Sequence, residues 1–478
     1  MSEPFDKNKT NKGLYHTGVY NFDDQYKETK YNDEIAGILK TANYEAERKR
    51  AHAIARKKAR KRRIITRLSI VILALILALT LIISGLVGIV RGISGLFGGG
   101  KDAPDIAALI KAADAYAASY DYDKAMETIR SYGEKYEKKK ELKAAYLKYE
   151  DKKASLVKYP DNAQIPHFSV RPLIYDTKKA FDGDDSTDKY NRNMITVTEF
   201  ANILESLYSG GYVLVSPDDI AKNNNGTMEF CDIYLPKDKK PILLSQENVS
   251  YYRSLAGNGF ASKIVLNDKQ EPLCEYQLED GSISTGSYDF VPMIERFVKK
   301  HPDFSYKGAK ATLAVTGYDG VLGYRTNPNG EGYQPDDIEQ AKKVVNRLKE
   351  LGYTFAANSW DYISYGNHNT DRVKEDIDRW ESEVKPIVGD TNVFIFAGSA
   401  DIANSGTYTE SNEKFSYLKS KGFSFFCPAE NKHTPITIGE GYLRQVRLNI
   451  TGNALYQNKE NLADFFDAER VLDIARPS

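Results

Sequence analysis

Cysteine is scarce in this chain, with three residues in 478: Cys231, Cys274 and Cys427. Three thiols close at most one disulfide, which excludes a disulfide framework. None sits at Cys-x-x-Cys spacing, which favours buried free thiols over redox or metal work. Net charge is lacking as well, since 66 Lys and Arg balance 66 Asp and Glu. No bulk bias toward nucleic acid follows. What is present is length, enough for more than one ordinary domain and a large buried core, and tyrosine, with 33 copies. That abundance suits a carbohydrate-facing surface.

The charge is unevenly placed. Residues 1–47 are polar, carry scattered tyrosines and show little periodicity, and they read as a disordered cytoplasmic tail. Residues 48–67 hold eleven Lys or Arg and no acid. Directly before an apolar span, such a run reads as a juxtamembrane anchor that binds anionic lipid headgroups and resists translocation. Residues 68–90 are uncharged, and at about 1.5 Å per residue they reach roughly 34 Å, enough to cross a hydrocarbon core of about 30 Å. The span starts late and lacks a small-residue cleavage site, so it reads as a transmembrane helix rather than a signal peptide. The expectation is a single-pass cell-membrane protein with a cytoplasmic N-terminus and an extracellular C-terminal domain. A Gly-rich linker, 91–101, leads to a helical stalk over 102–160, in which Tyr120–Ala125 resembles the turn of a tetratricopeptide-type hairpin.

From about 163 to 478 strand-length apolar runs alternate with amphipathic helices. The expected strands are Pro172–Tyr175, Tyr212–Val215, Ile242–Leu244, Ile264–Leu266, Thr312–Val315, Tyr353–Ala357, Val393–Ala397 and Phe423–Cys427. Helices are expected over Thr198–Tyr208, Val291–Lys300, Pro335–Leu351, Thr370–Val384 and Glu410–Lys421. This alternation predicts an α/β domain of parallel strands joined by crossover helices, either a barrel or an open sheet.

The run Ile242–Leu244 stops abruptly at Gln246, Glu247 and Asn248, as a buried strand does when it opens into a site. Here Leu244-Ser-Gln-Glu-Asn-Val-Ser-Tyr-Tyr252 resembles the NodB-homology polysaccharide deacetylases, in particular a membrane-anchored clostridial-type branch. Phe181-Asp-Gly-Asp, Met194-Ile-Thr-Val-Thr-Glu-Phe, Gly211-Tyr-Val-Leu-Val, Ile233-Tyr-Leu-Pro and Gly317-Tyr-Asp-Gly-Val-Leu-Gly-Tyr-Arg match further phrases of that branch. The resemblance covers nearly all of 163–478 and implies a deformed (β/α) barrel acting on N-acetylated polysaccharide. It also implies a divalent metal such as zinc, which polarises the amide and binds water.

By that resemblance Glu247 stands at the catalytic base, usually an aspartate. Asn248 stands at a metal-binding aspartate, and Asn358 and Tyr362, in Ala356-Ala-Asn-Ser-Trp-Asp-Tyr362, at two metal-binding histidines. An amide oxygen and a phenol of pKa about 10 are poor replacements. Coordinated change at three ligand positions implies loss of the metal. Among His167, His301, His368 and His433, no two have ligand spacing. Tyr251, Tyr252, Trp360, Arg444 and Arg447 are candidate glycan contacts. The expectation is a catalytically inactive, glycan-binding protein of the cell envelope. The alternatives are an active N-deacetylase with unrecognised ligands, and an envelope scaffold.

Overall fold

Seven parallel staves built from short, largely buried strands define the core of the computed structural model, which describes residues 105–403 and 406–477. These residues belong to one unit, Ile89–Ser478. The expected tail, basic segment, transmembrane helix and linker of residues 1–101 lie outside the described residues. Among the described residues, no helix is long and apolar enough to cross a membrane.

The strands are β1 (His167–Val170), β2 (Tyr212–Leu214), β3 (Lys240–Gln246), β4 (Thr312–Val315), β5 (Thr354–Ala357) and β6 (Val393–Ile395). They continue with β7 (Phe425–Cys427), β8 (Ala429–Glu430), β9 (Thr437–Gly439), β10 (Tyr442–Arg444) and β11 (Arg447–Asn449). Parallel pairing runs β1–β3–β4–β5–β6–β7–β10, and separately β8–β11–β1. Pro428 alone separates β7 from β8, because proline brings no N–H to the ladder. The Gln445 N–H to Phe426 and the Arg447 N–H to Pro428 carry the pairing across that break. Phe425–Glu430 and Tyr442–Asn449 are therefore one broken stave each, and the sheet curls back onto β1. β2 lies beside the start of β3, and β9 is antiparallel to β10.

Alternation along each strand separates two layers. Leu243, Ala314, Ala356, Ile395, Cys427 and Leu443 cluster on one face of the sheet. The larger Leu244, Leu313, Phe355, Phe394 and Phe426 pack outward against helices. The helices of eight or more residues are α1 (Ile106–Ala118), α2 (Tyr122–Arg130), α3 (Lys140–Ala154), α4 (Val197–Ser209), α5 (Phe290–Lys300), α6 (Pro335–Glu350), α7 (Thr370–Glu383) and α8 (Glu413–Ser420). α4 starts at a reciprocal capping box between Thr196 and Glu199, and buries Phe200, Ile203, Leu204 and Leu207. α6 opens on Pro335 with two aspartates in its first turn and carries Arg347 and Lys349 in its last, as the helix dipole favours.

α1, α2 and α3 share a small core of Leu109, Ala113, Met126, Ile129, Leu142 and Tyr149. The turn between α1 and α2 meets the barrel. Tyr120 is buried in the cluster that includes Leu243, and its hydroxyl donates to the Asp303 carbonyl.

Two expected strands need correction. Pro172–Tyr175 contributes only isolated bridges at Ile174, and the stave is the preceding His167–Val170. Pro172 has no N–H for a ladder, so pairing stops before it. Lys263–Leu266 is a strand, but it pairs antiparallel with Pro272–Gln277, which pairs with Ile283–Gly286, in a separate three-stranded sheet. An apolar run announces a strand without naming its partner.

Candidate ligand-binding site at the C-terminal end of the barrel

The C-terminal ends of β1, β3 and β5, with Arg447 at the start of β11, bring Arg171, Glu247, Asn248, Asn358 and Arg447 together. β1 and β3 are in register with Val170 beside Gln246, and the Glu247 N–H donates to the Val170 carbonyl. Arg171 and Glu247, each the next residue of its strand, thus leave the sheet side by side.

Glu247 is buried at 2 % exposure between two guanidinium groups. Arg171 donates through Nε to one carboxylate oxygen at 3.2 Å. Arg447 Nη2 lies 3.1 Å from the other, as an ion pair without good hydrogen-bond alignment. Arg447 has no exposed surface and is held by its neighbours. It donates to the carbonyls of Cys427 and Phe396, to Ser169 Oγ and to Asn449 Oδ1. Beside Arg447, His167 shares a 2.8 Å hydrogen bond with Ser245. Burial, and then the charge of Arg447, hold this imidazole well below its ordinary pKa.

Asn358, at the position of the expected first histidine, is a fully engaged brace. Its Oδ1 accepts from the Asn248 N–H at 2.9 Å, and its Nδ2 donates to the Ile395 carbonyl at 2.8 Å. Asn248 sits at φ 64° with its own Oδ1 buried and unpartnered. Asparagine tolerates this left-handed region better than most residues.

Tyr362 sits at φ 53°; the residue is partly buried and its hydroxyl fully so. Burial, followed by the charge of Glu247, pushes its pKa up to about 12, against the lowering effect of Arg171 and Arg447. Tyr252 stacks on Tyr318 with ring centroids 5.0 Å apart, and its buried hydroxyl also feels Tyr362 and Glu247. Asp376 of α7 fixes the loop after β5, accepting from the N–H groups of Trp360 and Asp361 and from the Tyr365 hydroxyl.

Three candidate contacts have their polar groups engaged within the protein. Tyr251 is a core residue whose hydroxyl donates to Asp289 at 2.7 Å. Trp360 is buried with the Arg379 guanidinium 3.3 Å from its ring centre and its indole donating to Glu383. Its other face approaches Gly317 so closely that a Cβ there would meet the ring at 2.3 Å. Arg447 is consumed by the interior contacts above. Arg444 lines a cavity of about 760 Å³ instead, where it bridges Asp401 and Glu430 at 2.8 and 2.7 Å.

This donor set does not fit a catalytic metal. Glu247 faces two cations, the Asn358 oxygen already accepts a backbone hydrogen bond, and a phenol with a raised pKa resists the deprotonation a ligand needs. Among the described residues, no group of three or more His, Cys, Asp or Glu could hold a metal ion. The geometry provides instead a braced, buried polar cluster with the partly exposed Tyr252, Tyr318 and Tyr362 nearby.

No protein-family model matches the chain, and no curated protein matches it. Among solved structures it is similar to the Streptococcus pyogenes deacetylase PplD in complex with acetate. That similarity has 12% identity and a TM-score of 0.36, and covers 65% of this chain and 98% of that one.

Arg171 and Tyr318 were not among the sequence candidates. A signal for Arg171 was present, since a charged residue ends the run His167-Phe-Ser-Val170 just as Glu247 ends β3. Tyr318 carried none, because its role depends on stacking with a residue 66 positions earlier.

Proposed function

We propose that this chain is a polysaccharide deacetylase-like protein that binds envelope glycan at the C-terminal end of its barrel and does not hydrolyse it. The observation that carries this reading is the state of Asn358 and Glu247. The amide is used in both directions, and the carboxylate is clasped by Arg171 and Arg447. A hydrolytic site needs an activated water, and these groups leave neither a metal position nor a carboxylate free of cations. Tyr252, Tyr318 and Tyr362, each only partly buried, are the residues on which sugar faces would stack. The basic run at 48–67 and the uncharged span at 68–90 support anchorage in the cell membrane beside anionic lipid, with the barrel outside.

The test combines elemental analysis of the purified chain, acetate release from N-acetylated glycan oligomers, and pull-down on envelope glycan. The expected result is glycan retention with no stoichiometric zinc, cobalt or nickel, and no acetate. A bound metal stabilises by mass action. A zinc-dependent rise in melting temperature, abolished by Asn358→Ala or Glu247→Ala, would overturn the reading.

A further inference from the structure

A recess of about 220 Å³ has Arg171 on its wall. Its wall is unusual in one respect: Asn193, Asn431, Asn449, Asn453, Asn458 and Asn461 all line it, joined by Thr451. These residues come from four separate stretches of chain, so only the fold assembles them. Asn193 donates through Nδ2 to the Lys189 carbonyl, which leaves its oxygen to accept. Asn449 accepts from Arg447 and so ties the wall to the centre around Glu247. Among the described residues, no side-chain hydrogen bond engages the amides of Asn431, Asn453, Asn458 or Asn461.

We propose that this recess is a subsite for one uncharged sugar unit of a glycan, held through its hydroxyl groups. The proposal rests on the glycan-binding reading above and names where and how recognition occurs. A carboxamide offers two donors and an acceptor whose state does not change with pH, and a sugar hydroxyl offers one of each. A ring of such amides matches the alternating demands of adjacent hydroxyls.

Charge decides between ligand classes. The two ionic residues on the wall, Arg171 and Glu430, are opposite in sign, and each has an ion-pair partner outside it, Glu247 and Arg444. The wall therefore carries no net charge to select a phosphate, a uronic acid or a metal ion. No aromatic residue lines the recess, which removes the stacking platform that a nucleobase requires. The aliphatic remainder, Ala429, Leu448, Ala454 and Leu462, suits the C–H faces of a sugar ring. Size sets the count, because enclosed sites for drug-sized ligands begin at about 300 Å³. This recess therefore takes one unit, with the rest of the glycan passing over Arg171 or Glu430.

The experiment is calorimetric titration of the full chain with uncharged hexasaccharides of N-acetylglucosamine and of glucose, and with hexagalacturonate. Variants are Asn453→Ala/Asn461→Ala and Tyr318→Ala, each checked for parental melting behaviour, with the single asparagine variants used if the double fails to fold. Binding of an uncharged hexasaccharide should weaken about tenfold in the double variant, the loss of two hydrogen bonds. Hexagalacturonate should bind no tighter than the uncharged probes. Unchanged affinity in the folded asparagine variants, or preference for hexagalacturonate, overturns the subsite and leaves glycan binding standing. Absence of binding to all three probes removes both. If acetate is released while binding still depends on Asn453 and Asn461, only the non-hydrolytic reading falls.

Discussion

Replacing Glu247 by Gln keeps the side-chain volume and removes one charge from between two. Arg447, with no exposed surface, then holds a buried charge whose carboxylate partner at 3.1 Å is gone. Breaking a buried ion pair from one side costs about 3–5 kcal/mol. Two features place this site at the lower end. Arg447 keeps four neutral acceptors, and the side chain of Arg171, 25% exposed, can turn to water. The expected loss is about 3 kcal/mol, or roughly 4–6 °C in melting temperature, at no more than about 2 °C per kcal/mol for a unit this large. Urea unfolding followed by tryptophan fluorescence suits the measurement, because Trp360 and Trp380 are the chain's two tryptophans and both are buried. A catalytic base retained at the expense of stability behaves oppositely, and its removal leaves stability unchanged or raised. A loss below about 1 kcal/mol in Glu247→Gln would refute the claim that this carboxylate serves as the counter-charge of Arg447.

Asn358→Ala should destabilise the chain by about 2–4 kcal/mol, since it strands the Asn248 N–H and the Ile395 carbonyl in the interior; denaturant titration checks this. His167, buried neutral, makes stability depend on acid. The unfolded chain takes up its proton near pH 6.5, so stability is full above that value and falls below it by up to about 1.4 kcal/mol per pH unit. Unfolding at pH 7 and pH 5 should show a smaller difference in His167→Gln than in the parent. Tyr120→Ala should cost about 3–5 kcal/mol where the α1–α2 turn meets the barrel, and limited proteolysis should cut the α1–α3 segment sooner than in the parent.

The staves were legible where an apolar run was bounded by polar residues on both sides, as at Ile242–Leu244, Thr312–Val315 and Val393–Ala397. Their helices were legible for the complementary reason, a buried stripe on a polar sequence, as in α4 and α7. The seam of the ring was not legible. β8, β10 and β11 are two or three residues long, too short to show a period, and their strand character comes from neighbours supplied by β1 and β7. The three-stranded sheet around Lys263–Leu266 was missed for the same reason in reverse, because its pattern satisfied a parallel stave equally well. At the site, sequence alignment named the residues that stand at the strand ends but not what they touch. Arg447 read as a surface contact because arginine usually is one. Its burial depends on acceptors from β1, β6, β7 and its own strand. The asparagine recess was invisible because its members are scattered from 193 to 461 and none is unusual alone.

The backbone of the site bears on what it is for. Asn248, Tyr251, Ser359 and Tyr362 all have positive φ, between 51° and 67°, and none is glycine. Such residues cost on the order of 1–3 kcal/mol each and persist only where their surroundings impose them. The impositions are visible: Asn358 holds Asn248, Ser359 Oγ accepts from the Ile363 N–H, and Asp376 gathers three donors from the loop. A loop with no task beyond connecting β5 to α7 could relax by accepting glycine or by losing these braces. This chain keeps the strained path and the buried hydrogen bonds that hold it, while the side chains on the path are ones that cannot assemble a metal centre. On the proposed glycan-binding reading, these braces are what hold Asn248 and Tyr362 in place at the strand ends.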